Sequence, residues 1–151
     1  MKTIFLTILS IVFTFSLKAA DTYKVTRVID GDTLILETLG RVRLIGVDTP
    51  ETVHPSKPVE YFGLEASNFT KKLVEGKPVS IEFEGNRRDR FGRLLGYVYL
   101  EDGVLVNAKI IQEGYGFAYT KYPFGKMDSF RRYEKEAREN NRGLWNKGSS
   151  K

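Results

Sequence analysis

The sequence predicts an α+β fold in which five short strands form a barrel and about three α-helices pack around it. Two observations lead to this class. Five runs rich in β-branched and apolar residues are separated by turn residues, and three amphipathic patterns of helical period each end at a glycine. The composition is globular, with 41% hydrophobic and 28% charged residues, which excludes a disordered chain.

The first three strands are predicted over residues 23–29, 33–37 and 41–45. Asp-Gly-Asp and Thr-Leu-Gly turns separate them, so they form an antiparallel meander. Residues 46–63 contain three prolines and the only histidine, and they show no periodicity. This segment is predicted to be a long irregular loop, in which His54 is a solvated residue without a catalytic role.

The second half of the chain alternates between the two periodicities. In chain order the predicted elements are a helix over 64–75, a strand over 79–84, a charged loop over 85–93, a strand over 94–100, and helices over 106–113 and about 129–140. The last helix places Phe130, Tyr133 and Ala137 on one face. Five strands, with one helix after the third and two helices behind, predict a five-stranded OB-type β-barrel.

The first twenty residues have the layout of a secretory signal peptide. A basic start precedes an uncharged apolar run over 4–17, and Ala19 or Ala20 offers the cleavage site. The run is shorter than the roughly twenty residues that a membrane span needs. We therefore expect a domain over 21–151 that is secreted or periplasmic, without stable membrane association after cleavage. A retained N-terminal anchor is the alternative, because Lys18 makes the cleavage site imperfect.

Charge and cysteine content bound the chemistry. The chain carries 24 basic and 19 acidic residues, and removing residues 1–20 takes away Lys2 and Lys18, which leaves a net charge of +3 (22 − 19). This excess is too small to predict a nucleic-acid partner by itself. The chain has no cysteine, which excludes thiol chemistry and cysteine metal sites.

Two acidic clusters lie at the ends of neighbouring strands. Asp32 lies in the turn before the second strand, and Asp48 follows the third. Each cluster alone reads as a polar turn. Ends of adjacent antiparallel strands can meet, and crowded carboxylates repel unless a cation lies between them. Oxygen ligands without histidine or cysteine favour Ca²⁺ or Mg²⁺, and a site with two carboxylates is expected to be weak, at about 0.1–1 mM, as in extracellular calcium modules.

Arginines and aromatic residues are the other candidate groups. Strand alternation places Arg43 opposite Val42 and Leu44, close to the strand end that leads to Asp48. A single exposed arginine is ordinarily solvated, but an arginine pair beside a cation site suits phosphate. Residues 115–124 contain five aromatic side chains with Lys121 among them, a composition that stacks nucleic-acid bases. Phe117 of this segment is expected to pack in the core.

Four segments carry a specific resemblance. They are Val-Ile-Asp-Gly-Asp-Thr over 28–33, Arg-Leu-Ile-Gly-Val-Asp-Thr-Pro-Glu over 43–51, Tyr-Phe-Gly-Leu-Glu-Ala-Ser over 61–67, and Asp-Arg-Phe-Gly-Arg over 89–93. In this order and spacing the chain resembles the staphylococcal nuclease (thermonuclease) family from about residue 23 to residue 145. The resemblance implies a monomeric, calcium-dependent endonuclease that hydrolyses phosphodiester bonds of DNA and RNA with little sequence specificity.

The resemblance also implies roles for individual residues. Calcium would be held by the carboxylates of Asp32 and Asp48 and by the backbone carbonyl of Thr49. Glu51 is the candidate general base for an attacking water, and Asp30 is expected to form the turn or to support the ligands. Arg43 and Arg93 would contact the scissile phosphate and stabilise its developing charge.

Substrate-binding roles follow from the same resemblance. Tyr119 matches a base-stacking tyrosine, and the second such position falls near Lys121 or Tyr122, of which we choose Tyr122. Arg90 and Phe91 stand where family members often carry lysine and tyrosine. Arg90 keeps the charge, whereas Phe91 lacks a hydroxyl that can hydrogen-bond a terminal phosphate. Trp145 is expected to dock the last helix onto the barrel.

A different class of function remains open beside the hydrolase. An OB-type barrel can be a non-catalytic module that binds single strands or oligosaccharides. The joint presence of the five chemical residues favours the hydrolase; they are Asp32, Arg43, Asp48, Glu51 and Arg93. A structural surface protein held through residues 1–20 is the third possibility.

Overall fold

The computed structural model describes residues 21–54 and 56–146, so the predicted signal peptide lies outside the described residues. The elements in chain order are β1 Thr22–Asp30, β2 Thr33–Leu36, β3 Gly40–Leu44, β4 Val47–Asp48, α1 Gly63–Val74, β5 Pro78–Arg88, β6 Leu94–Leu100, α2 Val106–Gln112, β7 Phe117–Ala118 and α3 Met127–Glu139, followed by a single 3-10 turn over Gly143–Trp145.

Five strands close into a barrel in the order β1-β2-β3-β6-β5, which confirms the predicted fold class. The first three strands form the expected antiparallel meander. The barrel closes through a parallel pairing of β3 with β6, in which Arg43 is opposite Leu95. Strand β5 pairs antiparallel with both of its neighbours, β1 and β6.

Alternation along the strands builds the core. Val25, Leu34, Val42 and Val98 are fully buried inside the barrel, whereas Arg41, the neighbour of Val42, is exposed. Burying such apolar side chains is the main stabilising term of a domain that has no disulfide. Helices α2 and α3 add further buried apolar residues, including Ile110, Ile111, Phe130 and Ala137.

A buried asparagine fastens the parallel closure. The Asn107 side chain, on α2, accepts a hydrogen bond from the Val98 N–H at 3.0 Å. Its amide donates to the carbonyl of Ile45 at 2.9 Å and to the carbonyl of Gly96 at 3.2 Å. One side chain thereby joins α2, β6 and the residue that follows β3. Because Arg43 lies on β3, two residues before Ile45, these hydrogen bonds also fix the position of the Arg43 backbone.

The prediction of a charged loop over 85–93 is wrong at its first boundary, since the first four of these residues belong to a strand. Strand β5 continues to Arg88, which pairs with Leu94. The pairing is interrupted by a register shift between Phe83 and Arg88, and Gly85 has a positive φ of 58°. The strand therefore bulges and continues into a hairpin beyond the barrel, where both faces are solvated. Polar side chains on both faces remove the alternation by which a strand is predicted.

The predicted irregular loop over 46–63 contains a short strand. Val47 pairs with Ala118 and Asp48 with Phe117, which makes a two-stranded ladder of β4 and β7. Two residues are too few to give a periodicity, so the sequence does not signal this pairing. The ladder ties the second acidic cluster to the aromatic segment. No helix in the described parts of the chain has the length and apolar character to cross a membrane.

Candidate active site

The acidic turn between β1 and β2 is pinned from two sides. The Thr70 hydroxyl, on α1, donates to the Gly31 carbonyl at 2.8 Å. The Asp30 carboxylate accepts bonds from the Gly31 N–H at 3.0 Å and from the Thr52 hydroxyl at 2.8 Å. A Cβ at position 31 would lie 2.7 Å from the Thr49 hydroxyl, so only glycine fits there. Asp30 therefore holds the turn together, as expected for this residue.

Arg43 joins the two acidic clusters. Its Nη1 lies 2.5 Å from a carboxylate oxygen of Asp32, and its Nη2 lies 3.0 Å from a carboxylate oxygen of Asp48. Because both nitrogens belong to one planar guanidinium, the two carboxylates converge on the same spot. The structure thus brings together Asp32, Arg43 and Asp48, which span 16 positions in the sequence.

The two carboxylates differ in their surroundings. Asp32 is buried, and it accepts further hydrogen bonds from the Thr33 hydroxyl at 2.9 Å and the Thr49 N–H at 3.0 Å. The Asp48 side chain is 50% exposed. Partial burial and the nearby charge of Asp32 raise the pKa of Asp48 above its usual value, although Arg43 opposes them. Asp32 thus has several hydrogen-bond donors around it, whereas the surroundings of Asp48 disfavour its charged form.

Glu51 lies among acidic side chains, with Asp30, Asp32 and Glu60 as its charged neighbours. Loss of solvation raises the pKa of its carboxyl, and the Asp30 carboxyl beside it raises the pKa further by charge and hydrogen bonding. The backbone of Glu51 is held by Glu60: the Glu51 N–H donates to the Glu60 carboxylate at 3.0 Å, and the Glu60 N–H donates to the Glu51 carbonyl at 2.9 Å. The site therefore accumulates negative charge around a side chain that stays exposed.

The donor groups fit a weakly bound calcium ion. Asp32 and Asp48 already share one cation, Arg43, and the negative charge around them exceeds what one arginine neutralises. The Thr49 carbonyl accepts no hydrogen bond from the described residues, so its lone pairs remain free for a ligand role. Within residues 21–54 and 56–146, no three acidic, imidazole or thiol groups converge as ligands. Two carboxylates, one carbonyl and water are the oxygen set of a low-affinity Ca²⁺ site.

Arg93 is positioned by a turn that Asp89 organises. One carboxylate oxygen of Asp89 accepts hydrogen bonds from the backbone N–H groups of Phe91 at 2.9 Å and of Arg93 at 3.0 Å. Its other oxygen accepts a hydrogen bond from the Nε–H of Arg93 at 2.7 Å. Burial alone would raise the pKa of Asp89, but these hydrogen bonds and the Arg93 charge hold the pKa below its usual value. The terminal nitrogens of the Arg93 guanidinium are left for another anion.

Exposed aromatic rings flank the arginines. Phe91 is 68% exposed, and the guanidinium carbons of Arg90 and Arg93 lie 4.7 Å and 5.4 Å from its ring centroid. Tyr122 is 63% exposed, and its ring centroid lies 6.2 Å from that of Tyr119. Large aromatic faces in solvent next to cations provide stacking surfaces for bases.

One cleft collects most of the predicted groups. It encloses a cavity of about 750 Å³, and seven of the predicted residues line it: Arg43, Asp48, Arg90, Phe91, Arg93, Tyr119 and Tyr122. The other three, Asp32, Thr49 and Glu51, are not among its lining residues. Arg43 connects the two groups, since it lines the cleft and binds Asp32. The arrangement is a basic, aromatic groove with an acidic cluster at its rim.

Sequence reasoning missed one residue that shapes this cleft. The Glu84 carboxylate, on β5, accepts the Gly125 N–H at 2.7 Å and the Tyr97 hydroxyl at 2.6 Å. It thereby fastens the segment over 119–125, which carries Tyr119 and Tyr122, to the barrel. Burial and the Glu84 charge raise the pKa of Tyr97, so the hydroxyl remains a donor. A glutamate at the end of an alternating strand gives no sequence signal for this role.

Two other expectations concern the aromatic residues outside the cleft. Trp145 lies edge-on to Phe117 with ring centroids 5.4 Å apart, and the Arg138 guanidinium of α3 stacks on it at 4.1 Å. Trp145 therefore docks the last helix onto the ladder of β4 and β7, and not onto the barrel as expected. Phe117 is half-buried against Trp145 and is not in the core, because strand alternation turns its neighbour Ala118 toward the core instead.

The fold and the cleft together define an OB-type barrel with a basic, aromatic cleft beside an acidic cluster. A model of the family described as staphylococcal nuclease homologue matches residues 41–147. A thermonuclease of Staphylococcus intermedius is 43% identical over 132 residues, which cover 83% of this chain and 76% of that protein. A thermonuclease of Staphylococcus hyicus is 41% identical over 128 residues, covering 82% of this chain and 75% of that protein. The endonuclease YncB of Bacillus subtilis is 42% identical over 127 residues, covering 80% of this chain and 60% of that protein.

The chain belongs to the staphylococcal nuclease family. The resemblance predicted from the four sequence segments is thereby confirmed.

Proposed function

We propose that this chain is a secreted, calcium-dependent endonuclease that hydrolyses phosphodiester bonds in DNA and RNA with little sequence specificity. The observation that carries the proposal is the Arg43 guanidinium held between Asp32 and Asp48, at the rim of a cleft that also contains Arg93. Membership of the family and the nuclease names of its relatives support the same reaction.

The two arginines address the main barrier to phosphodiester hydrolysis. A phosphodiester is an anion that repels an incoming oxygen nucleophile, and negative charge grows on its equatorial oxygens in the transition state. Guanidinium groups remain charged at all relevant pH values and match phosphate oxygens with paired N–H donors. Arg43 and Arg93 both line the cleft, so they bind the phosphate there and stabilise this charge.

Glu51 supplies the base in this proposal. Its raised pKa makes the carboxylate a stronger proton acceptor than an ordinary glutamate, and its exposed position gives water access to it. Asp32, Asp48 and the Thr49 carbonyl would hold the calcium ion, which, when bound, supplies positive charge to the substrate phosphate. Asp48 and Asp32 also orient Arg43, since each carboxylate forms an ion pair with one terminal nitrogen of its guanidinium.

The remaining cleft residues account for a lack of sequence specificity. Arg90 offers a further charge for the backbone, and Phe91, Tyr119 and Tyr122 offer faces for bases. Stacking and phosphate contacts are available to every nucleotide and do not distinguish ribose from deoxyribose. We therefore expect both nucleic acids to be cleaved, by a monomer that leaves the cell after removal of residues 1–20.

Substitution of the proposed base and of one arginine tests the reaction. We expect Glu51→Gln and Arg93→Ala each to lower turnover by about a hundred-fold or more, because the first removes the proton acceptor and the second removes a positive charge that stabilises the transition state. Glu65→Gln and Arg131→Ala, at exposed helix positions outside the cleft, serve as matched controls. Near wild-type cleavage by either active-site variant would show that its role is wrong.

Chelation separates the nuclease from a binding module. Cleavage of DNA and of RNA is measured with calcium and then with an excess of chelator. The proposal predicts cleavage that stops in chelator and returns with calcium. Binding of single strands without cleavage in either condition would instead indicate a non-catalytic OB-type module.

A further inference from the structure

A second basic surface lies outside the cleft. Lys24 and Thr26 of β1 face Lys71 and Lys72 of α1 across an open groove of about 720 Å³. All four of these side chains are exposed. The lysine ion pairs in the described chain are Lys109 with Glu113 and Lys135 with Glu139, so the groove lysines have no acidic partner there. Unpaired ammonium groups around a concavity attract a multivalent anion.

The negative groups at this groove each have a hydrogen-bond partner, and they are fewer than the lysines around them. Glu75 is the acid that lines the groove, and its carboxylate accepts the Val28 N–H at 2.8 Å. The carbonyls at the end of α1 carry the negative end of the helix dipole. The Lys77 ammonium covers them, since its Nζ donates to the Leu73 carbonyl at 2.8 Å and to the Lys72 carbonyl at 3.4 Å.

The lining of the groove favours a phosphate backbone over a lipid surface. The large hydrophobic side chains that are exposed lie elsewhere, at Val53, Val59, Tyr61, Leu64, Phe91 and Tyr122. The apolar residue of the groove, Val25, is fully buried. The groove therefore has charge and no side chain to insert into a bilayer. Lysines without arginine or aromatic neighbours suit contacts that position a strand and read no bases.

The groove lysines lie on β1 and α1, the two elements that also carry or contact the acidic turn. Thr70, the neighbour of Lys71, donates to the Gly31 carbonyl within that turn. Lys24 lies six residues before Asp30 on the same strand, which corresponds to roughly 20 Å along β1. A polymer bound at the rim of the cleft can thus continue over the lysines, whereas a short oligonucleotide ends before it.

We propose that Lys24, Lys71 and Lys72 form a secondary binding site for the phosphate backbone of long nucleic-acid strands. The site holds polymeric substrate and takes no part in the chemistry. This inference rests on nucleic acid being the substrate of the cleft. Its binding test, however, is made in chelator and does not require cleavage.

The experiment compares two triple variants with the same change in net charge. The groove variant is Lys24→Gln with Lys71→Gln and Lys72→Gln. The control variant is Arg131→Gln with Arg132→Gln and Lys135→Gln, on the exposed part of α3. Affinity for a long single strand is measured in excess chelator over a range of salt concentrations, and circular dichroism confirms that both variants are folded.

The expected result is a loss confined to the groove variant. The slope of log affinity against log salt falls by about 2, because each phosphate contact on a single strand contributes about 0.7. Affinity at low salt falls about ten-fold or more. With calcium, cleavage of the long strand shows a raised KM, while cleavage of a dinucleotide-length substrate matches the wild type.

Three outcomes overturn the proposal. Salt slopes that are equal in the two variants would show that net charge, and not the groove, determines binding. An equal loss of activity on short and long substrates would place the lysines in the cleavage reaction. Loss of binding to vesicles of anionic phospholipid, with strand binding retained, would assign the groove to a membrane surface. Absence of cleavage by the wild type would refute the nuclease proposal and leave the binding result to be judged separately.

Discussion

The guanidinium of Arg93 is oriented by the carboxylate that accepts its Nε–H at 2.7 Å. We expect Asp89→Asn to lower turnover by about ten- to a hundred-fold, because a hydrogen bond between charged groups contributes about 1.5–3 kcal/mol. Steady-state cleavage kinetics measure the effect. Asp102→Asn is the matched control, since Asp102 also accepts a backbone N–H two residues ahead but holds no arginine in the described chain. Equal losses in both variants would contradict the orienting role.

The same carboxylate makes stability depend on acid. Its folded-state pKa is lowered, so its contribution to the free energy of unfolding is complete above the unfolded pKa of about 3.9. That contribution is lost as the pH falls through the lower, folded-state pKa. We expect urea unfolding to show a steeper loss of stability below about pH 4 in the wild type than in Asp89→Asn. Parallel curves for the two proteins would show that Asp89 does not contribute.

At this scale the sequence identifies residues by chemical type and local turn. Asp32, Arg43 and Asp48 are predictable because strand alternation and strand ends place them near one another. Asp89, the partner of Arg93, is four residues away and lies within the same sequence segment. The hydrogen bond between them cannot be predicted from the sequence, because it depends on the conformation of the turn. Glu51 is predicted by resemblance, whereas its contact with Asp30 depends on the backbone course of residues 49–52.

The parallel closure of the barrel depends on a single polar side chain at the element scale. Asn107 is fully buried and satisfies one donor and two acceptors of the backbone. Replacement by leucine leaves the Val98 N–H and the Ile45 carbonyl unpaired, at about 1–3 kcal/mol for each, whereas the Gly96 carbonyl keeps the Ile45 N–H at 3.1 Å. We expect Asn107→Leu to lower the free energy of unfolding by at least about 2 kcal/mol in urea titrations. A loss below about 1 kcal/mol would mean that water or a shift of α2 replaces the bonds.

The segment over 119–125 is an element whose position depends on Glu84. We expect Glu84→Ala to raise KM about ten-fold with a smaller effect on kcat, because the Gly125 N–H loses its acceptor and the stacking tyrosines become less ordered. Kinetics on single-stranded DNA measure this split. Glu82→Ala is the control, since Glu82 bonds the exposed Tyr99 hydroxyl at 3.0 Å. A fall in kcat alone would place Glu84 in the chemistry.

Long elements were predictable and short ones were not. The three helices and five barrel strands each carry a pattern over several residues, and their predicted ends differ from the observed ones by a few positions, with the exception of β5. The β5 extension to Arg88 is polar on both faces, and β4 and β7 have two residues each. Such elements form because of pairing with strands distant in the sequence, so the local pattern of apolar and polar residues does not predict them.

For the whole molecule, bound calcium is expected to act as a stabilising ligand. At a concentration about a hundred times Kd, a ligand of the folded state adds about 2.7 kcal/mol to the free energy of unfolding. We expect calcium to raise the melting temperature of the wild type and to have little effect on Asp48→Asn. Differential scanning calorimetry measures both proteins, with magnesium as a comparison ion. An equal rise in the two proteins would place the ion elsewhere.

The parallel pairing of β3 with β6 has a consequence for timing. Arg43 reaches its final place only after a strand about fifty residues later has docked beside it. Arg93, at the start of that later strand, enters the cleft in the same event. For the nuclease proposed above, an unfolded chain therefore carries the reactive side chains without an assembled site. We expect the topology to keep such a chain inactive until the barrel closes.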